Sequence, residues 1–143
     1  MKRRSLFALL PFLAATPALA QTSKPKPAGG KQRVIFQVSD NDPARWQLAL
    51  NNAKNVQTDL GKDNVQIEIV AYGPGLAMLK ADSKVTGGLA SALDDSVGLT
   101  ACENTMHNTK VTRDEMYGGI AYVQSGVTHI MKRQREGWAY IRP

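Results

Sequence analysis

Strand-like and helix-like runs alternate along this chain five times, and few folds accept that order. RVIFQV (33–38), NVQIEIVAYG (64–73), VGLTA (97–101), IAYV (120–123) and WAYI (138–141) are short and mostly apolar. They read as strands. In the second, Gln66 and Glu68 are expected near a more exposed beginning, and GPG at 73–75 ends the run. Between the first two strands, Asp42 suits a helix cap and Pro43 the first helical turn. Trp46, Ala49, Leu50, Ala53, Val56 and Leu60 then recur at helical spacing as far as Gly61. LAMLKAD reads as a short helix. Ser83 is placed to cap another, with Val85, Leu89 and Leu93 inward, although Gly87 and Gly88 weaken it. A short helix is expected after Cys102, and TRDE (112–115) fits a capping box. Ser125 is placed to cap the last helix, with Val127, Ile130 and Met131 inward and Lys132, Arg133 and Arg135 complementing its carboxyl end. Short connections and right-handed crossovers then predict an α/β fold, a five-stranded parallel sheet layered between helices.

The N-terminus carries a different message. Lys2, Arg3 and Arg4 precede an apolar stretch too short to span a bilayer, and ALA at 18–20 is a small-x-small cleavage site. Residues 1–20 read as a signal peptide cleaved after Ala20, which predicts a periplasmic protein. Arg3-Arg4 before SLF also loosely resembles a twin-arginine signal, so both export routes stay open. Residues 21–32, QTSKPKPAGGKQ, read as a flexible tether, and 33–143 as one domain. Nothing later approaches the ~20 apolar residues of a membrane span.

The net charge of +6 belongs largely to these first residues. From Val34 onward there are 11 Lys and Arg against 12 Asp and Glu, a net of −1. A protein that binds nucleic acid through phosphates needs a clustered basic footprint, and the folded part lacks that excess.

In open α/β sheets ligands gather outside the carboxyl ends of the strands. SDND (39–42), YGPG (72–75) and CENTM (102–106) reach that edge. Asp40, Asn41, Tyr72, Gly73, Gly75, Asn104 and Thr105 are therefore the candidate pocket lining, around Cys102, the single cysteine. One cysteine cannot form an internal bridge, and an odd cysteine in an exported chain implies an intermolecular disulfide or a free thiol. At a strand-to-helix turn, backbone N–H groups favour the reactive thiolate, while Glu103 opposes it. The other reading is a small buried hydrophobe that closes the strand. His107 follows Cys102 by more than one helical turn, so the spacing does not assure direct pairing, and His129 is expected to face solvent. With no CxxC, CxxCH or HxxxH spacing, neither a metal site nor a haem is expected, and no other cofactor motif is present. Met116 and Tyr117, after the TRDE turn, are candidate subunit contacts close to Cys102.

VIFQVSDNDPARWQLALNNAKNVQTDLGKDNVQIEIVAYGPGLAMLKADS, then ACENTM, then SGVTHIMKRQREGWAYIRP resemble the DsrE/DsrF-like family over nearly the whole mature domain. The resemblance implies a three-layer α/β/α domain with five parallel strands, assembled as a trimer or hexamer. It also implies that Cys102, which follows the third strand as the family's reactive cysteine does, accepts sulfane sulfur as a persulfide and passes it on. A sulfur donor or acceptor protein would be the partner. The alternative function is a non-catalytic ligand-binding or assembly module with a structural cysteine.

Overall fold

The strand-like runs pair into one sheet. A computed structural model describes residues 29–143; the signal peptide read at 1–20 and tether residues 21–28 lie outside the described residues. Strands β1 (Gln32–Val38), β2 (Val65–Ala71), β3 (Gly98–Cys102), β4 (Ala121–Val123) and β5 (Ala139–Ile141) are all parallel, in the order β4-β3-β2-β1-β5. Helices α1 (Pro43–Leu60), α2 (Thr86–Asp94), α3 (Glu103–Thr109) and α4 (Gly126–Arg135) occupy the connections. The expected α/β fold, with helices on both sides of the sheet, is observed. Gln32 leaves the tether and joins β1, where it pairs with Val65.

Side chains alternate along each strand, so one sheet builds two cores. Phe36, Ile69 and Leu99 point to the face covered by α1 and α2, where they meet Trp46, Ala49, Leu50, Ala53 and Leu89 in the main core. Ile35 and Val70 point to the other face and meet only Ile130 of α4 and Trp138, with Tyr72 packed alongside. At the start of α1 the Asp42 carboxylate accepts the Ala44 N–H at 2.9 Å, and Gly61 ends the helix at φ 88°.

Chain direction fixes where a ligand site opens. From β1 to β4 the chain steps one way across the sheet, then returns past β1 to lay down β5. The chain leaving β3 enters α3, whose Met106 belongs to the main core. The chain leaving the neighbouring β4 enters α4, whose Ile130 belongs to the opposite core. The ends of β3 and β4 are thus pulled to opposite faces, and that divergence opens a crevice at a topological switch point.

Several local expectations change. LAMLKAD gives no α-helix; a 3₁₀ segment from Gly73 to Leu79 buries Gly75, Leu76, Met78 and Leu79 against the sheet. A Cβ on Gly75 would lie 2.3 Å from the Val38 carbonyl oxygen, so this approach requires glycine. α2 starts at Thr86 with Val85 at its cap position, leaving Ser83 outside, where its hydroxyl accepts the Val85 N–H at 3.4 Å. The TRDE box forms, with the Thr112 N–H on the Glu115 carboxylate at 2.8 Å. It heads only one 3₁₀ turn, because Met116 departs to bridge Lys80. In α4, Ile130 is buried, but Val127 and Met131 are 51% and 47% exposed. Gly126, His129 and Arg133 take the inward positions instead, the last two held by a polar group on the sheet. Among the described residues no helix is long and apolar enough to cross a membrane.

Two glycines give opposite expectations. Gly75→Ala drives a Cβ into the β1 backbone and should cost about 1–3 kcal/mol or more. Gly87→Ala meets nothing within 4 Å in α2 and should stabilise by roughly 0.5–1 kcal/mol. Urea unfolding of both variants measures the contrast; equal shifts would contradict the close approach at Gly75.

Candidate functional site

Cys102 is both the last residue of β3 and the cap of α3. Its strand partner is Val123, the last residue of β4, so the thiol lies at the switch point. The residue is 5% exposed. Its Sγ lies 3.8 Å from the Gln124 carbonyl oxygen, which accepts from the thiol. Burial opposes ionisation of this thiol. Hydrogen bonds from the Thr105 hydroxyl and from the backbone N–H groups of Gly126, Thr105 and Asn104 outweigh it and hold the Cys102 pKa below its ordinary value. The donors come from the first turns of both α3 and α4. Gly126 gets close because it lacks a side chain: a Cβ there would lie 3.2–3.3 Å from Tyr72 and Val70 atoms.

A cleft of about 560 Å³ is lined by Asn104, Val123, Gln124, Ser125, Thr128, His129 and Lys132; Cys102 itself lies behind Val123, Gln124 and Asn104 and does not line it. The Asn104 N–H donates to the Gln124 carbonyl at 3.0 Å and ties the start of α3 to the end of β4. The Ser125 hydroxyl caps α4 by accepting the Thr128 N–H at 3.4 Å.

Behind the cleft is a buried polar group that sequence reasoning placed elsewhere. Glu68, expected near an exposed strand start, is 7% exposed and faces α4. Its Oε1 accepts from the Thr100 hydroxyl at 2.8 Å and lies 2.6 Å from His129 Nε2, while Oε2 accepts from Arg133 Nε at 2.9 Å. Arg133 also donates to Glu136 at 3.1 Å and stacks 4.6 Å from the Trp138 ring centre. Burial lowers the Arg133 pKa, but Glu136 and Glu68 more than offset this and raise it. His129, expected in solvent, is half-buried against Glu68. Two sequence signals pointed here: a carboxylate in the middle of an apolar parallel strand needs a partner, and His129 and Arg133 are spaced to share a helix face.

The anticipated lining residues divide. Thr105 bonds Cys102, and its hydroxyl accepts the Gly73 N–H at 2.9 Å, so Gly73 braces the site. Asn104 lines the cleft, while Tyr72 backs Gly126. Burial, reinforced by Tyr140, pushes the Tyr72 hydroxyl pKa up. Gly75 is packed on Val38 and lines nothing. Asp40 and Asn41 are not brought to the cleft. The Asp40 carboxylate faces Arg142 at 3.4 Å and Arg45 at 3.9 Å, and its carbonyl accepts from the Trp46 indole at 2.7 Å. Asn41 is exposed. Met116, an expected subunit contact, is 5% exposed inside this subunit's main core, and Tyr117 packs half-buried against the same core. Among the described residues no three His, Cys, Asp or Glu side chains cluster as metal ligands.

Among solved structures, the chain is similar to MTH1491, a protein of unknown function from Methanobacterium thermoautotrophicum. The match has 39% identity over 79% of this chain and 100% of that one, with a TM-score of 0.75. It is also similar to BT1422, a conserved protein of unknown function from Bacteroides thetaiotaomicron. There the identity is 14% over 78% and 95% of the two chains, with a TM-score of 0.58, a likeness of fold alone. No family model and no curated protein matches the chain.

The Glu68 network carries a stability expectation. Glu68→Ala leaves Arg133, His129 and Thr100 without their shared acceptor and should cost about 3 kcal/mol, the low end for a broken buried pair because Arg133 is 30% exposed. Arg113→Ala, which removes the exposed pair with Glu103, should cost less than about 1 kcal/mol. Equal unfolding midpoints for the two variants would contradict the central place of Glu68.

Proposed function

We propose, for a chain that belongs to the same family as MTH1491 of Methanobacterium thermoautotrophicum, that Cys102 is a sulfur acceptor which takes sulfane sulfur as a persulfide and passes it on. The observation that carries this reading is the placement of one thiol at the switch point, where Cys102 ends β3, stands at the cap position of α3 and hydrogen-bonds Gln124 on the rim of an open cleft. Burial opposes the Cys102 anion, but Thr105, Gly126 and Asn104 outweigh it and lower the pKa, which supports the same reading. Sulfane transfer needs that anion and no metal: the thiolate attacks a sulfane sulfur, and the donor's remaining fragment leaves. The DsrE/DsrF-like resemblance of the sequence supports the same reading, since Cys102 follows the third strand. The proposal includes export to the periplasm through residues 1–20 and assembly into a homo-oligomer.

One observation favours a second reading. Cys102 is 5% exposed, which suits a non-catalytic ligand-binding or assembly module with a structural cysteine. Reactivity in the folded state separates the two. The expected result is alkylation of native protein by iodoacetamide, with a pH midpoint below the ordinary thiol value of 9.0. Incubation with polysulfide or thiosulfate should add the mass of one sulfur, and Cys102→Ser should abolish the gain. A thiol that reacts only after denaturation would end the sulfur-acceptor reading. Native mass spectrometry of the same samples reads the assembly, and a strictly monomeric mass removes the oligomer from the proposal.

Export is tested on its own. Protein recovered from the periplasm should begin at Gln21. Recovery from the cytosol with Met1 in place would overturn the export reading.

A further inference from the structure

We propose that His129, oriented by Glu68, is the proton donor to the leaving thiolate when Cys102 attacks a sulfur–sulfur bond held in the cleft between β3 and β4. The inference rests on Cys102 being the sulfur acceptor, and it assigns a second catalytic residue to that site.

The tautomer comes first. A carboxylate only accepts hydrogen bonds, so the contact between Glu68 Oε1 and His129 Nε2 places a hydrogen on Nε2. Nδ1 is the nitrogen left free to carry a second proton and release it. Glu68 is itself fixed by Thr100 and Arg133, so the ring is held from behind in one orientation. An ion pair that served only to fasten α4 to the sheet would need Arg133 alone. The added histidine lines the cleft.

Distance along the cleft comes next. At one end are the thiol's neighbours: Val123 is its strand partner, the Gln124 carbonyl accepts from it, and Asn104 donates its N–H to that same carbonyl. His129 and Lys132 line the cleft farther along α4. Gly126, two residues beyond the Gln124 that accepts from the thiol, precedes His129 by three residues on the same helix face, a rise of about 4.5 Å. On β3, Thr100 shares Glu68 Oε1 with His129 and precedes Cys102 by two residues, about 6.5 Å along the strand. Along the backbone, His129 is therefore offset by about one helical turn from the thiol's end of the cleft. A base meant to deprotonate Cys102 would have to touch it. A group meant to protonate the leaving atom must not, because displacement at sulfur runs in line. The attacked sulfur lies between nucleophile and leaving group, with a sulfur–sulfur bond of about 2.05 Å to the atom that departs. The offset suits the second role. Lys132, beyond His129, adds a fixed positive charge for the anionic tail of a donor.

The step balances without any oxidant. The Cys102 thiolate supplies the electron pair of the new sulfur–sulfur bond. The old bond breaks, and its pair stays on the departing sulfur as a thiolate. His129 Nδ1 gives that thiolate its proton and is reprotonated from solvent. A persulfide donor R–S–SH yields Cys102–S–SH and R–SH, and a disulfide yields the mixed disulfide and a thiol. Glu68 touches no reacting atom and is a positioning residue.

Deleting a general acid matters only when the leaving group needs a proton. The test compares two disulfide probes on the purified full-length protein. 4,4′-Dithiodipyridine releases a thiolate that needs no proton, whereas bis(2-hydroxyethyl) disulfide releases a basic alkyl thiolate. His129→Gln keeps an amide donor for Glu68 and should slow the alkyl probe by about 10²-fold. It should change the aromatic probe by less than about threefold, and that retained rate also reports an intact fold. In wild type, a solvent deuterium isotope effect is expected for the alkyl probe alone. Equal slowing of both probes, or none, would overturn the proposal, as would a folded Cys102 that reacts with neither. Selective slowing without any sulfur gain from polysulfide would leave His129 in its role and remove the sulfur carrier. Sulfur gain without selective slowing would do the reverse.

Discussion

The position of α4 depends on one buried carboxylate. On its side of the sheet the apolar contact is small: Ile35, Val70, Ile130 and Trp138, with Tyr72 alongside. The main core recruits more than twenty residues on the other side. A ten-residue helix fastened by so little apolar area needs a directional contact, and Glu68 supplies it through Thr100, His129 and Arg133. A carboxylate in the middle of a sheet is costly when its acceptors are left empty, so the helix that fills them is held in one register. That register brings Gly126 against Tyr72 and Val70, where it is among the groups that favour the Cys102 anion. The surroundings of Cys102 thus depend on a polar contact farther down the sheet.

The layered sheet was legible in the sequence because each element announced its own period, with Asp42, Pro43 and Gly61 marking both ends of α1. The placement of Cys102 was legible for the same reason, since a strand handing over to a helix must end at the carboxyl edge. Glu68 and His129 were not, and the cause is physical. Periodicity assumes that the inward face is the apolar one. In α4 the apolar Val127 and Met131 point outward, while His129 and Arg133 point in, because their partner is a charge and not a core. The partner lies more than sixty residues away in sequence, on a strand where a lone glutamate among apolar residues resembles an exposed position. Met116 failed in the same manner: an apolar residue after a surface turn looked like a contact for another subunit, and the chain folded it back to bridge Lys80. Gly75 and the 3₁₀ segment were hidden because a 2.3 Å approach to Val38 is a tertiary fact with no local signature.

The lone cysteine answers to two opposed demands. With no disulfide available the fold rests on packing, and packing would bury a small thiol at a strand end without further consequence. Here the same position precedes α3, lies near the first turn of α4, and hydrogen-bonds the Gln124 carbonyl between β4 and α4. Burial raises the cost of the anion while the donors lower it, and the donors prevail. At 5% exposure the sulfur is out of reach of a flat protein surface, and Asn104 and Gln124 stand between it and the cleft. On the sulfur-acceptor reading proposed above, narrow access and a favoured anion would select for an electrophile that is small at its reacting end. A terminal sulfane sulfur would meet that demand, delivered by a small donor or on an extended side chain or tail of a partner.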